Sequence, residues 1–380
     1  MGKRMLITST DLMMIQFLVP HVINLTEHGY EVEIACSEVG GRMEEIREKL
    51  KGYVKKIHMV RLVRSPASFT NFKGYQDMKK VISSGNYDMI WTNEPVMGVV
   101  TRLAARQARK RGTKVLYMVH GFHFYKGAPL VNWLVYYPIE SFASRFCDEI
   151  VTINREDYRR AKRLYAPEVR YIHGIGVDTA NLNQKTIHTD IRKQLGLQDN
   201  DFIVLSVGEL NKNKNHKVII KAISQIHEKE VKYILCGKGA QQKNLEKLAK
   251  KYKISGQIFF LGYRKDVADI CQQSDLFAFP SYREGLGLAS LEAMYSGLPL
   301  VASAIRGVED YAENGKAGFL CSPDDSRAFA RAILRLKNDG QLRQKCSKNN
   351  RKAAVPYCLD NVKKEVMSLF EQELKNRNGS

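Results

Sequence analysis

Short runs of apolar and β-branched residues alternate along the chain with longer stretches whose apolar positions recur at helical spacing. This alternation predicts βαβ units and a parallel sheet in each half of the chain. We therefore expect the α/β class, with two doubly wound domains. The predicted strands are 5–8, 31–35, 89–91, 114–119 and 149–153, followed by 202–207, 231–236, 258–261, 276–279 and 300–302.

An irregular stretch around residues 178–190, rich in Asn, Thr and Gln, interrupts the alternation. We place the domain boundary there, so residues 1–180 form an N-terminal domain and residues 181–359 a C-terminal domain. The apolar spacing in residues 360–380 predicts a final helix, which we expect to pack back on the N-terminal domain. Because ligands of open parallel sheets bind at the carboxyl ends of the strands, we expect a cleft between two facing Rossmann-like domains.

The chain has 380 residues, of which 44% are apolar and 26% charged, so it can bury a large core. This composition excludes a fibrous or largely disordered protein. Seven scattered cysteines without a CxxC pair fit neither a disulfide framework nor a zinc site, which predicts a reducing, cytoplasmic compartment. No apolar run approaches the roughly 18 residues of a membrane-spanning helix.

Lys and Arg outnumber Asp and Glu by 60 to 40, which gives a formal net charge of +20. A field of this strength attracts nucleic acid, an acidic membrane face or phosphorylated substrates. Part of the excess lies in residues 99–170, with 14 basic and 6 acidic side chains. Charge alone does not choose among these partners, and a solubilising surface explains it equally well.

The segment after the predicted strand 276–279 contains a loop with Gly285 and Gly287, followed by a helix that begins near Leu288. A helix start presents unpaired N–H groups and a positive dipole end, so we expect an anion site here. Glu284 and Glu292 can bracket a ligand and accept hydrogen bonds from sugar hydroxyls. Taken alone, the two residues fit a capped helix with ordinary surface glutamates better than a ligand site.

Residues 280–303 resemble the motif of retaining GT-B glycosyltransferases of family 4, in which seven residues separate two glutamates. The segments 207–215, 236–239 and 260–267 resemble family blocks that surround the nucleotide. Four blocks in the family order make the resemblance specific. It implies transfer of a sugar from a nucleotide donor to a hydroxyl, with retention at the anomeric carbon.

The resemblance also implies individual roles in the C-terminal domain. Glu292 would bind the ribose hydroxyls, Glu284 the donor sugar, and Lys214 the diphosphate. Backbone groups near the second and third blocks would lie close to the base. The implied donor-binding residues are Gly208, Lys212, Lys214, Gly237, Tyr263, Arg264, Glu284, Gly285, Leu286, Gly287, Leu288 and Glu292.

One position departs from the family pattern: Glu209 stands where the family usually has an arginine on the diphosphate. A carboxylate cannot neutralise phosphate. Lys212, on the same predicted loop, is our candidate replacement, because a lysine acts as a mobile point charge. A solvated loop lysine remains the alternative.

In the N-terminal domain, His120 follows a predicted strand and resembles the His-Gly block whose histidine contacts the donor sugar. We assign His120 to the catalytic residues together with Glu284 and Lys214. The loop after the first strand faces acceptor or phosphate in the family. Its usual glycines are absent here, which leaves Ser9 and Thr10 as acceptor-side candidates without a predicted phosphate role.

The combination of blocks looks most like bacterial capsular and exopolysaccharide glycosyltransferases, which elongate a polyprenyl-diphosphate-linked saccharide at the cytoplasmic membrane face. Arginines at helical spacing and the aromatic-rich segment 128–146 suit an anionic membrane surface, although the aromatics fit a core equally well. The acceptor or membrane side is assigned Ser9, Thr10, Arg102, Arg106, Arg109, Trp133, Tyr136 and Tyr137.

We expect the donor to be a UDP-sugar carrying an N-acetylhexosamine or a hexose, with no cofactor, no metal and no nucleic-acid partner. The triplet Asp199-Asn-Asp201 has the form of a metal motif, but it precedes a strand, where an Asp/Asn turn is expected. Two alternatives remain: another nucleotide-sugar enzyme, such as a UDP-N-acetylglucosamine 2-epimerase, or a basic nucleic-acid-binding protein.

Overall fold

The structure is a computed structural model, and it describes residues 2–38, 43–65, 68–180, 182 and 187–378. The chain forms two compact units. Unit 1 consists of Met1–Ile175 together with Asp360–Ser380, and unit 2 consists of Gly176–Leu359. Residues 181 and 183–186, part of the stretch expected to join the domains, lie outside the described residues.

Strands and helices alternate along both units. The strands are β1 Arg4–Thr8, β2 Glu31–Cys36, β3 Val54–Met59, β4 Met89–Asn93, β5 Lys114–Val119, β6 Glu149–Thr152, β7 Glu168–Tyr171, β8 Phe202–Val207, β9 Val231–Cys236, β10 Ile258–Gly262, β11 Leu276–Phe279, β12 Leu300–Ser303 and β13 Gly318–Cys321. The helices are α1 Leu12–Glu27, α2 Met43–Leu50, α3 Thr70–Gly85, α4 Pro95–Ala104, α5 Arg106–Lys110, α6 Leu130–Ala143, α7 Arg155–Ala161, α8 Ile191–Leu195, α9 His216–Ile226, α10 Gln242–Lys251, α11 Val267–Gln272, α12 Leu288–Tyr295, α13 Ser326–Asn338, α14 Gly340–Ala354 and α15 Leu359–Asn378.

Unit 1 contains a seven-stranded parallel sheet in the order β3-β2-β1-β4-β5-β6-β7. The chain winds outward from β1 in one direction and then from β4 in the other. The point where the direction reverses lies between β1 and β4. In doubly wound sheets this is where a crevice opens at the carboxyl ends of the strands.

Unit 2 contains a six-stranded parallel sheet in the order β10-β9-β8-β11-β12-β13. Its direction reverses between β8 and β11. The central strand β8 is almost continuously apolar and buried, as expected for a parallel strand covered on both faces. Asp325 and Asp339 cap α13 and α14 by accepting hydrogen bonds from Ala328 and Leu342 N–H groups.

All ten predicted strands are present, and the α/β prediction of two doubly wound domains is confirmed. The sequence analysis missed β3, β7 and β13, which all lie at sheet edges. Edge strands are less buried, so their apolar signal is weaker: β3 exposes Lys55 and Lys56, and β7 exposes Glu168. These additions widen each sheet without moving its central crevice.

The C-terminal helix α15 belongs to unit 1 by its packing. Val362, Val366, Leu369 and Phe370 are buried, in the helical spacing that the sequence shows. The Phe370 ring contacts the Trp91 ring of β4 edge to face, with 5.2 Å between centroids. Helix α15 therefore completes a layer over the middle of the unit 1 sheet.

Candidate active site

The reversal point of unit 2 carries the predicted donor motif. Strand β8 ends at Val207 and is followed by the loop 208–215, and β11 ends at Phe279 and is followed by the loop 280–287. Because β8 and β11 are neighbours, both loops leave the same edge of the sheet. Asn213 joins them: its backbone oxygen accepts from the Tyr282 N–H, and its side chain donates to the Arg283 carbonyl.

Lys214 and Glu284, from these two loops, form an ion pair. The Lys214 Nζ lies 2.7 Å from Glu284 Oε1, and both side chains are largely buried, with 21% and 13% of their surface exposed. Lys214 also lies over the Phe279 ring, 5.0 Å from its centroid. The structure thus brings Lys214 and Glu284 together, and the roles that the resemblance implies for them stay predictions.

Helix α12 begins beside this pair, at Leu288 as predicted. Its N-cap is Gly287, with φ of +93°, and a Cβ there would lie 2.8 Å from the Phe279 ring. Because Gly287 has no side chain, it cannot cap the first turn, and the N–H groups of that turn suit an anion. The Leu286 carbonyl accepts from the Tyr311 hydroxyl, which fixes the loop.

Two glycines allow the neighbouring loops to touch. Gly208 follows β8 and Gly237 follows β9, and a Cβ on Gly237 would lie 1.8 Å from the Gly208 carbonyl oxygen. The φ of Gly237 is +157°, which L side chains rarely adopt. Its N–H donates to the Gly262 carbonyl over 2.7 Å, so the three loops form a backbone-lined floor.

Glu292 lies one turn into α12 and has a pKa raised to about 7. Removal of the carboxylate from water is the main cause, and the nearby charge of Asp178 adds to it. A partly dehydrated carboxylate gains from hydroxyl donors such as those of a ribose. The contact between Glu292 and a ribose stays a prediction, and the burial of the carboxylate is compatible with it.

Three other predicted donor residues, Lys212, Tyr263 and Arg264, are not part of the ion pair between Lys214 and Glu284. Lys212 is exposed and lines a pocket of about 440 Å³, whose lining also includes His216 and Tyr282 but neither Lys214 nor Glu284. Tyr263 is 60% exposed. Arg264 binds Asp266 through two hydrogen bonds of 2.7 and 2.5 Å, so contacts with a base would fall to the backbone there.

In unit 1, His120 lies directly after β5. Its Nε2 is 2.9 Å from Asn93 Oδ1, and the Asn93 amide nitrogen donates to the Thr8 carbonyl. Asn93 Oδ1 is thus an acceptor, so His120 Nε2 carries the proton and Nδ1 is left to accept. Loss of solvation lowers the His120 pKa to about 4, so the ring is neutral at pH 7.

Ser9 and Thr10, predicted on the acceptor side, are buried at the end of β1, and Thr10 also lines a pocket of unit 1. The Ser9 hydroxyl donates to Glu94 Oε2 over 2.6 Å, and the Thr10 N–H donates to the same oxygen over 2.9 Å. Their hydrogen bonds fix Glu94 at the end of β4. Sequence reasoning missed Glu94, because the residues that hold it, Ser9 and Thr10, lie far away in the sequence.

Arg102 is a correction to the predicted membrane side. Its side chain is fully buried, and its Nη2 lies 2.6 Å from Glu140 Oε2. The guanidinium also lies 3.9 Å from the Tyr117 ring centroid and donates to the Gly98 carbonyl. The helical spacing was recognised correctly, but the side chain points into the core because Glu140 of α6 provides a buried partner.

The other two predicted arginines lie at the surface of unit 1. Arg106 and Arg109 line a basic pocket of about 390 Å³ together with Lys110, Arg145, Phe146 and Asp148. Arg109 pairs with Asp148 at 3.0 Å, and Arg106 lies over the Phe146 ring. Four cations and one carboxylate make this pocket attractive to anions.

The aromatic residues of α6 face the unit 1 core rather than a membrane surface, and their assignment to the acceptor side stays a prediction. Trp133, Tyr136 and Tyr137 are partly buried and pack against the unit 1 core. The opposite face of the helix is mostly aliphatic and exposed, a pattern that the count of aromatics did not show. That exposed face consists of Leu130, Val131, Leu134, Val135, Ile139 and Phe142.

Two features are absent from the described residues. No helix in this part of the chain is both long and apolar enough to cross a membrane. No group of three or more His, Cys, Asp or Glu side chains among the same residues is arranged to hold a metal ion.

Comparisons with known proteins agree with this geometry. Residues 188–353 match the family model "Glycosyl transferases group 1", and residues 7–154 match "Glycosyl transferase 4-like". The chain is 37% identical over 377 residues to EpsD of Bacillus subtilis, a glycosyltransferase by name, with 97% of each chain covered.

A second relative and a solved structure extend the comparison. The chain is 28% identical to the Escherichia coli UDP-Gal:alpha-D-GlcNAc-diphosphoundecaprenol alpha-1,3-galactosyltransferase, covering 83% of this chain and 82% of that one. Anabaena HepE, solved with UDP and glucose, shares the fold with a TM-score of 0.80 at 20% identity, over 97% of this chain and 100% of HepE. The chain therefore belongs to the GT-B glycosyltransferases of family 4, and it is an enzyme that transfers a sugar.

Proposed function

We propose that the protein transfers an N-acetylhexosamine or a hexose from a UDP-sugar to a saccharide on a polyprenyl diphosphate, in capsule or exopolysaccharide biosynthesis. The Lys214 and Glu284 pair beside the start of α12 carries the donor half of this proposal. The acceptor half is supported by the name of the Escherichia coli relative, which specifies a UDP-sugar and a diphosphoundecaprenol acceptor. Retention rests on the resemblance of residues 280–303 to retaining enzymes.

In this mechanism the bond from the anomeric carbon to the diphosphate oxygen breaks, and a bond to the acceptor oxygen forms. The acceptor proton passes to the departing diphosphate oxygen. Lys214 exchanges its contact with Glu284 for the diphosphate, which leaves Glu284 to accept a hydroxyl of the sugar. Fixed positive groups aimed at a developing negative charge lower the barrier, and here they are Lys214 and the first-turn N–H groups of α12. The proposal includes no metal or cofactor.

His120 has a binding role in this scheme. A neutral imidazole with its Nε2 proton held by Asn93 presents Nδ1 as an acceptor. A sugar hydroxyl is a suitable donor for it. His120 would therefore orient the donor sugar without exchanging a proton at neutral pH, because its pKa lies at about 4.

We also propose that unit 1 docks on the inner face of the cell membrane, as a peripheral cytoplasmic protein. The exposed aliphatic face of α6 is followed directly by Arg145 and Phe146 of the basic pocket. Apolar side chains beside cations suit an interface with anionic lipids. Leu134→Gln should weaken co-sedimentation with phosphatidylglycerol vesicles, whereas Phe17→Gln, on α1, should not; equal binding by both variants would contradict this docking face.

The donor is tested by thermal shift with UDP, GDP, ADP and UDP-sugars, in buffer containing EDTA. A ligand that binds the folded state raises its stability in relation to concentration and dissociation constant. We expect a shift with UDP and with one UDP-sugar that persists in EDTA. A response only when divalent metal is present would contradict metal independence. No response to any nucleotide, with salt-sensitive binding to DNA or RNA, would overturn the proposal.

A further inference from the structure

A polar pocket lies at the reversal point of the unit 1 sheet. It has a volume of about 340 Å³, and its lining includes Thr10, Arg64, Glu94, His123 and Tyr136. The rings of His123 and Tyr136 stack with 4.5 Å between centroids. Glu94, Arg64 and His123 were not among the predicted acceptor residues, because they come from three distant parts of the sequence.

Glu94 is held in this pocket by an unusual backbone. Its φ is +65°, a conformation that non-glycine residues rarely adopt and that is often maintained at functional sites. Oε2 is occupied by Ser9 and Thr10, whereas Oε1 has no donor among the described residues. Burial raises the Glu94 pKa, and the nearby Asp11 adds to the shift. A carboxylate oxygen in this state gains from a hydroxyl donor.

An apolar slot adjoins the polar pocket and shares Pro95, Val96 and Tyr136 with it. The slot has a volume of about 170 Å³, and Val99, Val100 and Ile139 complete most of its apolar wall. The one carboxylate in its lining is Glu140, whose oxygens bind Arg102 and Tyr117. The surface that a ligand would contact inside the slot is therefore mostly apolar.

Exposed apolar side chains continue from the slot to the surface of unit 1. Ile139 lines the slot and is 39% exposed, and Val135 lies one turn earlier on α6 at 42%. Asn71, which also lines the slot, is followed by Phe72, 65% exposed on α3. A path thus runs from a polar pocket, through an apolar slot, to an apolar surface.

We infer that the polar pocket and the apolar slot together form the binding site for an isoprenoid diphosphate-linked acceptor. This inference rests on the proposed function. The acceptor hydroxyl donates to Glu94 Oε1, the diphosphate is attracted to Arg64, which is 59% exposed at the pocket, and the first isoprene units lie in the slot. The rest of the hydrocarbon chain passes along the exposed face of α6. The site recognises charge and hydrocarbon at opposite ends of one ligand.

The test uses farnesyl diphosphate, with inorganic diphosphate as the probe that lacks hydrocarbon, in titration calorimetry on the full chain. Val99→Trp, which fills the slot, should weaken farnesyl diphosphate binding about tenfold or more, the equivalent of ~1.4 kcal/mol. Val355→Trp makes the same substitution at the surface of unit 2, where Val355 is 47% exposed, and should leave the affinity unchanged. Val99→Thr keeps the volume and should give a smaller loss, which covers the case in which Val99→Trp fails to fold.

Arg64→Gln should weaken farnesyl diphosphate binding about tenfold through loss of a charge-assisted hydrogen bond. Arg61→Gln is the matched control, because Arg61 is 58% exposed and pairs with Asp77 much as Arg64 pairs with Asp11. Equal losses for Val99→Trp and Val355→Trp would mean that the hydrocarbon does not bind in the slot, and this would overturn the inference. Equal losses for the two arginine variants, or farnesyl diphosphate binding no tighter than inorganic diphosphate, would also overturn it.

The UDP thermal shift, measured on the same preparations, separates this inference from the proposed function. UDP is expected to bind unit 2 in every variant. If the wild-type protein binds UDP but not farnesyl diphosphate, the acceptor site is wrong and the donor proposal stands. If it binds farnesyl diphosphate but no nucleotide, the donor proposal fails and the assignment of the slot as a hydrocarbon-binding site stands.

Discussion

The two units share a doubly wound sheet but build their candidate sites from different materials. In unit 2, the site consists of loop backbone, a helix start and one ion pair, and most of it comes from the single segment 280–292. In unit 1, the polar pocket consists of side chains from residues 10, 64, 94, 123 and 136. Backbone groups suit the diphosphate, the part that nucleotide-sugar donors share. Side chains from separate segments can be substituted one at a time, so they suit an acceptor that differs between enzymes.

The largest effect is expected from the buried pair that supports the unit 1 slot. Arg102→Met leaves Glu140 buried and without its cation, which typically costs about 3–5 kcal/mol. Urea unfolding should show this loss of stability for the unit 1 transition. As a control, Arg109→Met removes an arginine from a more exposed pair with Asp148 and should cost less than about 1 kcal/mol. Similar values for the two variants would contradict a buried role for Arg102.

In unit 2, Lys214→Ala should lower kcat about 100-fold or more, because it removes a positive group aimed at the leaving diphosphate. Lys212→Ala provides the comparison. Lys212 is exposed and lines a pocket without Lys214, so its removal should change kcat by less than about threefold, in line with a solvated side chain. If Lys212→Ala is instead as damaging as Lys214→Ala, Lys212 replaces the family arginine at Glu209, as the sequence analysis proposed.

The role of backbone in unit 2 is tested by Gly237→Ala. The new Cβ would overlap the Gly208 carbonyl, so the floor of the site must shift, and we expect UDP affinity to fall about tenfold. Gly256→Ala is the matched control, because a Cβ there meets no atom within 4 Å. Calorimetric titration with UDP measures both, and unchanged affinity in Gly237→Ala would show that the close contact of the loops is not required.

The smallest effect concerns pH. Glu292 has a pKa of about 7, and ribose hydroxyls stabilise its ionised form, so UDP-sugar affinity should rise by up to about tenfold from pH 6 to pH 8. The stability of the free protein changes with pH in the opposite direction, because the folded state holds the Glu292 proton more tightly than the unfolded state. The stability that this group contributes is therefore lost as the pH rises from about 4.5 to about 7.

A UDP-sugar is the suitable probe for this measurement, because its diphosphate diester does not titrate between pH 6 and pH 8. Glu292→Gln should remove the pH dependence of binding. A wild-type affinity that is the same at pH 6 and pH 8 would contradict the contact between Glu292 and the ribose.

The comparison of the units also explains what could be predicted from the sequence. Residues 280–292 are contiguous, and each lies where the strand, loop and helix pattern places it, so Glu284 and the start of α12 were found. Glu94 acquires its role from Ser9, 85 positions earlier, and such a contact has no signature in a local pattern.

Arg102 was wrongly assigned to the membrane side, because its contact with Glu140, 38 positions later, also has no signature in a local pattern. Helical spacing shows which residues share a face, but only the partner on α6 shows that Arg102 on this face is buried. The edge strands β3, β7 and β13 were missed because solvent covers part of them and weakens the apolar alternation.

The return of α15 to unit 1 has a consequence for synthesis on the ribosome. Phe370, on the last helix, completes the packing around Trp91, which lies about 280 residues earlier. Unit 2, by contrast, is one continuous stretch of chain, Gly176–Leu359. The usual order, in which the N-terminal domain of a nascent chain matures first, is therefore reversed: unit 2 is complete in sequence before unit 1 receives its last helix. During that interval, the part of the unit 1 core that α15 will cover stays open until Leu359–Asn378 has been synthesised.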